Sequence, residues 1–375
     1  MAIQKTLNQL ASAVAASAAL FTAPSMAFDL TGKGFITYGD AQSYSLPVLA
    51  LQAGCTNPGC EFYVASSPGA IKGLTVLGTG ASGQDLNGNF AGMDNAYETP
   101  SGVNGSTFWR PDPTNYSNVN ANGATVNNNG ANTWDTSLSA LQNYLAGEAM
   151  IFFFNNNQQN NCGTACQSLA AWARIEVKDN TGTVIGRYDL TNQNSAYKTV
   201  AEGGGGAILG SVGAYTSTNS APIAGTAANT DYVLSGGALC LDAVGNLVQC
   251  GSASAVVGPI NHNLGANQAA YALLFPELNA QLSGLFGSLS AGQLAQYTMS
   301  VDVRLGCDPG VVGGDTSLTC VGSDSNPFLY GRNLNNGYEQ IFITTARDVR
   351  NTPEPATVLL LGLALVGLAS ARRRA

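Results

Sequence analysis

The chain has 375 residues, 15 of them Lys or Arg against 23 Asp or Glu, with one His, eight Cys and a formal charge of −8. Fifteen basic residues less Lys5 and the three terminal arginines leave 11, and 23 acidic residues less Glu354 leave 22, so the interior carries a net −11. Clustered Lys and Arg are needed to bind phosphates, so nucleic acid is not an expected partner. The polar surface has to be built from Asn, Gln, Ser, Thr and Gly, a neutral hydrogen-bonding surface suited to a hydrated polysaccharide matrix.

In chain order, the first predicted element is a leader. Lys5 gives a positive start, Ala11 to Phe21 is a small-residue apolar run, and Ser25-Met26-Ala27 supplies small side chains for a signal peptidase. Cleavage is expected after Ala27, making residues 1–27 a signal peptide. The eight cysteines then fall into four close pairs: Cys55 with Cys60, Cys162 with Cys166, Cys240 with Cys250, and Cys307 with Cys320. An exported chain with an even count at short spacings predicts disulfides that pin loops. The alternative is a zinc site combining Cys162 and Cys166 with Cys55 and Cys60. Asp85-Leu86-Asn87-Gly88-Asn89 spaces oxygen ligands like a calcium loop, but Phe90 stands where glycine is required and Ala96 where the bidentate acid belongs. A surface turn accounts for it better, and no metal or cofactor is expected.

Trp109, between loop residues and near Tyr116, is the candidate for glycan contact, with core packing as the competing role for the ring. Trp134, Leu138, Leu141 and Leu145 recur at helical spacing before Gly147, predicting a helix capped by Thr133 or Asp135. The run from Met150 to Phe154 predicts a fully buried strand. Residues 171–190 form the clearest hairpin, alternating apolar and polar residues on both sides of Lys178-Asp179-Asn180-Thr181-Gly182. His262, in Asn261-His262-Asn263, is expected to be an exposed turn residue. As the only histidine it excludes two-histidine metal sites. No Gly-x-Ser-x-Gly elbow presents a serine to it. Residues 266–296 predict two or three short helices, broken by Pro276 and by Gly284, Gly287 and Gly292. Strands follow at 297–305 and, after the Asn336-Gly337 turn, at 339–345. Polar stretches at 115–133, 155–161 and 203–206 are read as long surface loops. The expectation is a mainly β, antiparallel β-sandwich-like body over residues 28–350 with a few short helices. One domain is preferred to two subdomains meeting near residue 150.

The tail is tripartite: Pro353-Glu354-Pro355, an apolar run from Ala356 to Ala371, and Arg372-Arg373-Arg374. A 16-residue helix rises about 24 Å, slightly short of a ~30 Å hydrocarbon core, so it forms a marginal transmembrane helix over 356–371 with snorkelling arginines. Three terminal arginines hold that end in the cytoplasm and leave everything before Pro353 across the inner membrane. The two prolines keep the triplet extended and accessible. Residues 351–375 resemble the PEP-CTERM sorting signal. The resemblance implies recognition of Pro353, Glu354 and Pro355 by the membrane transpeptidase exosortase, with Arg372, Arg373 and Arg374 setting orientation. The expected protein is a non-enzymatic, exported component of the cell surface or extracellular matrix, handled by signal peptidase and exosortase and associated with exopolysaccharide. The alternatives are a carbohydrate-binding adhesin using loop aromatics and a secreted hydrolase using a carboxylate pair.

Overall fold

The computed structural model describes residues 28–55, 60–80, 89–100, 109–111, 133–158, 167–190, 196–197, 233–236, 239–245, 247–249, 253–306, 334 and 336–347. Their elements in chain order are β1 (Ile36–Tyr38), β2 (Ala41–Ser45), α1 (Leu46–Gln52), β3 (Thr75–Thr79), β4 (Tyr97–Glu98), β5 (Trp134–Ser137), α2 (Leu138–Leu145), β6 (Ile151–Asn155), β7 (Gln167–Lys178) and β8 (Val184–Leu190). They continue with β9 (Ala196–Tyr197), β10 (Val233–Gly236), β11 (Leu239–Leu241), β12 (Leu247–Gln249), β13 (Ala269–Leu274), α3 (Pro276–Ser288), α4 (Ala291–Leu294), β14 (Thr298–Leu305) and β15 (Ile341–Thr344). The protein is mainly strands, in two principal sheets with a few short helices. The first sheet has the order β4-β3-β15-β6-β13-β2-β1-β9, the second β10-β7-β14-β5 with β8 also paired to β7. β11 and β12 form a separate ribbon.

The run Ile151–Asn155 sits in the middle of the first sheet between β15 and β13. Side chains alternate across a strand, so Phe152 and Phe154 enter a core shared with Ile175, Val177, Met299, Val301, Val303 and Leu305 of the second sheet. Ile151 and Phe153 enter a second core on the opposite face, with Phe28, Phe35, Leu46, Phe62 and Ile71. Both faces are buried, which is why this strand reads as an unbroken apolar run. Leu138, Leu141, Leu145, Leu278, Leu282 and Leu294 add helical side chains to the shared core.

The second sheet is wet on its outer face. Arg174 pairs with Asp189, Arg187 with Glu176 and Arg304 with Asp302, each at 2.8 Å, and Trp172 lies beneath Arg174 and Arg304. The hairpin expected at 171–190 is present as β7 and β8. In its turn Asp179 Oδ1 accepts the N–H groups of Thr181 and Thr183. The strands expected at 297–305 and 339–345 are β14 and β15.

Two expectations are corrected. Trp134 is not on a helix: it opens β5 and pairs with Val301, and the helix begins only after Ser137, whose Oγ accepts the Ala140 N–H. Residues 269–274 are not helical either. Ala-Ala-Tyr-Ala-Leu-Leu favours a helix locally, but β13 is hydrogen-bonded to β6 on one side and β2 on the other, and tertiary pairing overrides propensity. The helix starts at Pro276, where a missing N–H costs nothing.

Candidate functional site

Three polar turns that are far apart in sequence meet beyond the ends of β6 and β15. Asn155 to Gln158 continue from β6, Asn261 to Gly265 precede β13, and Asn336 to Gln340 lead into β15. Gln340 N–H donates to Asn155 Oδ1 at 2.6 Å, and Asn155 Nδ2 to the Tyr338 carbonyl at 3.5 Å. Asn157 Nδ2 donates to the Gly337 carbonyl at 2.6 Å. The third turn is tied in by Gln158 N–H on Asn263 Oδ1 at 2.8 Å, Asn263 Nδ2 on the Gln158 carbonyl, and Gly265 N–H on the Asn156 carbonyl at 3.3 Å. Carboxamides carry a donor and an acceptor on one rigid plane, which lets them splice backbone from different turns where regular strand pairing ends.

Glu339 lies inside this apex, fully buried. Its Oε1 accepts from Gln158 Nε2, while Oε2 has no hydrogen-bond partner. Burial pushes its carboxyl up to about 8, against hydrogen bonds from its own backbone N–H, the Gln158 amide and the Asn157 backbone N–H, which favour the ionised form. A carboxyl in this position holds its proton at neutral pH.

His262 is 2% exposed, not the exposed turn residue expected. Nδ1 is 3.1 Å from the Ile260 carbonyl, which can only accept, so Nδ1 carries the proton and Nε2 accepts the Ser45 hydroxyl at 2.8 Å. The ring stacks on Tyr271 with centroids 5.4 Å apart. Burial lowers its pKa to about 4, the Ile260 hydrogen bond acting the other way. Ser45 Oγ also accepts the Val48 N–H as the cap of α1. The Ser45–His262 pair thus clamps the 260–263 turn to the start of a helix. Glu339 and His262, the acid and the imidazole of the apex, are both uncharged near neutrality.

Trp109 is buried, 4% exposed, and the core-packing role prevails over the glycan platform. Its backbone pairs with Leu305 at the end of β14, its indole N–H donates to the Glu98 carbonyl at 2.8 Å, and its ring lies against Gly78 of β3. Tyr116 lies outside the described residues, as do Asp85 to Gly88. Asn89 is buried and structural, its amide bonding both backbone groups of Val76. Among acids, Asp94 and Asp135 are neighbours: Asp94 N–H reaches the Asp135 carbonyl at 2.8 Å and Asp135 N–H reaches Asp94 Oδ2 at 3.1 Å. Both are buried and fasten the 92–94 segment to β5.

Cys55 and Cys60 are joined in a disulfide, which removes both from the zinc alternative. Cys240 is also disulfide-bonded. Cys162, Cys166, Cys250, Cys307 and Cys320 lie outside the described residues, as do Ala27 and the tail from Pro353 to Arg374. Among the described residues no group of three or more His, Cys, Asp or Glu is placed to hold a metal, and no helix is long and apolar enough to cross a membrane.

Sequence reading missed the apex because each of its turns, taken alone, has the composition of an ordinary surface loop. The one local hint was the density of Asn and Gln at the end of β6, a strand buried on both faces.

Fold and tail together define a two-sheet β protein that carries a sorting signal. The family model described as a domain of unknown function, DUF8239, matches residues 24–304, and the chain belongs to that family. The PEP-CTERM protein-sorting motif matches residues 351–374, at the carboxyl terminus. The motif marks an exported chain that exosortase processes and that is destined for the cell envelope or surface. No curated protein and no solved structure matches the chain.

Proposed function

We propose that this is a non-enzymatic protein of the cell surface or extracellular matrix, working as a disulfide-stapled β body in contact with exopolysaccharide. Signal peptidase removes residues 1–27, and the helix over 356–371 holds the chain in the inner membrane. Exosortase then reads Pro353, Glu354 and Pro355, while Arg372, Arg373 and Arg374 keep the far end cytoplasmic. The observation that carries this reading is the PEP-CTERM motif at residues 351–374. A surface poor in charge, and an apex whose ionisable groups are neutral, suit a hydrated polymer matrix. The test compares the full chain with one ending at Thr352 in the producing cells, by fractionation and immunoblotting. Loss of the tail is expected to move the protein from the envelope to the periplasm or medium without unfolding it. An unchanged distribution contradicts the reading.

A further inference from the structure

Tyr338 stands at the rim of the apex with 42% of its surface exposed and φ at 65°, directly after Gly337 at 77°. A bulky residue in the left-handed region is an outlier, and such positions persist only where the surroundings impose them. Here the surroundings do. Its N–H donates to the Pro100 carbonyl at 2.9 Å, and its carbonyl accepts from Asn155 Nδ2 and Gln340 Nε2. Beneath it, Gly80 leaves no room for a side chain, because a Cβ there would collide with Tyr338 Cα. Glycine would suit such a backbone, yet the position presents an aromatic ring on a fixed support.

Two half-buried carboxamides of the apex are already locked in place, Asn157 against the turn that carries Tyr338 and Asn261 within the turn that Asn263 ties to Gln158. Asn157 is half-buried and spends one N–H on the Gly337 carbonyl. Asn261, also half-buried, spends one acceptor on the Asn263 N–H and one donor on the Asn263 carbonyl. A carboxamide makes up to four hydrogen bonds, so both keep capacity for a ligand without losing their orientation. A peptide would need a sheet edge to add to, but β15 is paired by β3 and β6, and β6 by β15 and β13. An ionic ligand would need a charge, and among the described residues of the three turns the one carboxylic acid and the one imidazole, Glu339 and His262, are buried and neutral at pH 7.

We propose that the apex is a binding site for an uncharged polysaccharide, with Tyr338 stacking on the apolar face of a hexose and Asn157 and Asn261 hydrogen-bonding its hydroxyls. This names a ligand class within the exported-protein reading. It is measured by binding where that reading is measured by location, so either can fail alone.

The test is native affinity electrophoresis of the protein in the form that cells display or release, through gels containing dextran, galactomannan or alginate. At least one uncharged polymer is expected to retard it, with no change when salt is raised enough to screen surface charges. Tyr338→Phe keeps the retardation, whereas Tyr338→Gly, which suits the backbone, weakens it about tenfold or more, as does Asn157→Ala. Thermal unfolding of each variant establishes that it is folded, and Asn157→Ala carries the test if Tyr338→Gly is not. Migration unaffected by every uncharged polymer overturns the proposal, as does retardation by alginate alone that salt abolishes. So does full retention in the folded variants, or binding that only peptides compete away.

Discussion

Glu339 and His262 give the protein opposing pH limbs. Glu339 binds its proton more tightly folded, at about 8, than at its ordinary 4.5. Its contribution is therefore complete below 4.5 and lost as pH rises through 8. A displacement of that size corresponds to about 5 kcal/mol across the window. His262 is lowered from 6.5 to about 4, so its contribution is complete above 6.5 and lost as pH falls through 4, about 3 kcal/mol in all. Between 4.5 and 6.5 the two slopes oppose each other, and above 6.5 only Glu339 acts. Stability is expected to peak near pH ~5.5 and to fall by ~1.4 kcal/mol per pH unit from 6.5 to 8. Urea titrations across pH 4–9 check this. Glu339→Gln should flatten the alkaline limb and leave the acid one, and identical alkaline limbs in both proteins would refute the assignment. Neither group's state was legible in the sequence: an acid before a strand and a histidine between two asparagines carry no sign of burial, which three distant turns create together.

At the scale of elements, what could be read depended on whether an element has one wet face. β7, β8 and β14 were legible because their outer side chains reach water and form ion pairs, leaving an alternation along the chain. β6 was legible for the opposite reason, since both faces are buried. β13 was not: its central place comes from hydrogen bonds to β2 and β6, long-range partners that leave no periodic mark on an Ala- and Leu-rich segment. Trp134 was misassigned because β5 runs straight into α2, so the apolar face of the strand fell by chance in phase with that of the helix. Trp109 illustrates a device between elements. Its backbone belongs to the end of the second sheet and its ring to the first, with Cη2 placed 2.9 Å from where a Cβ on Gly78 would sit. Trp109→Ala should lower the unfolding free energy by about 3–5 kcal/mol, as for other buried large-to-small changes. Gly78→Ala should cost about 1–3 kcal/mol by overpacking. Denaturant unfolding at constant m-value measures both. A Trp109→Ala protein with wild-type stability would show that the ring is not a staple. Because the ring packs the core, loss of a binding activity in that variant would first have to be separated from loss of fold.

The whole molecule extends past the boundary of its family match. The match ends at residue 304, after most of β14, but β15 at Ile341–Thr344 lies in the middle of the first sheet, not at its edge. It bridges β3 and β6: Phe342 stacks on Phe153 with centroids 5.4 Å apart, and the Ile343 carbonyl accepts the Tyr144 hydroxyl at 2.7 Å. Removing β15 would detach β3 and β4 from the rest of the sheet and leave β6, apolar on both faces, with an open edge. Such an edge invites association with other chains. It would also delete Tyr338 and Glu339, taking with them a third of the apex. An exported chain ending at Arg304 is therefore expected to be insoluble, or to lose cooperative unfolding, while one ending at Thr352 unfolds in a single transition. Circular dichroism melts and size-exclusion elution of the two chains make the comparison. A monomeric, cooperatively melting chain ending at Arg304 would show that the first sheet closes without its central strand, which the placement of β15 between β3 and β6 does not allow.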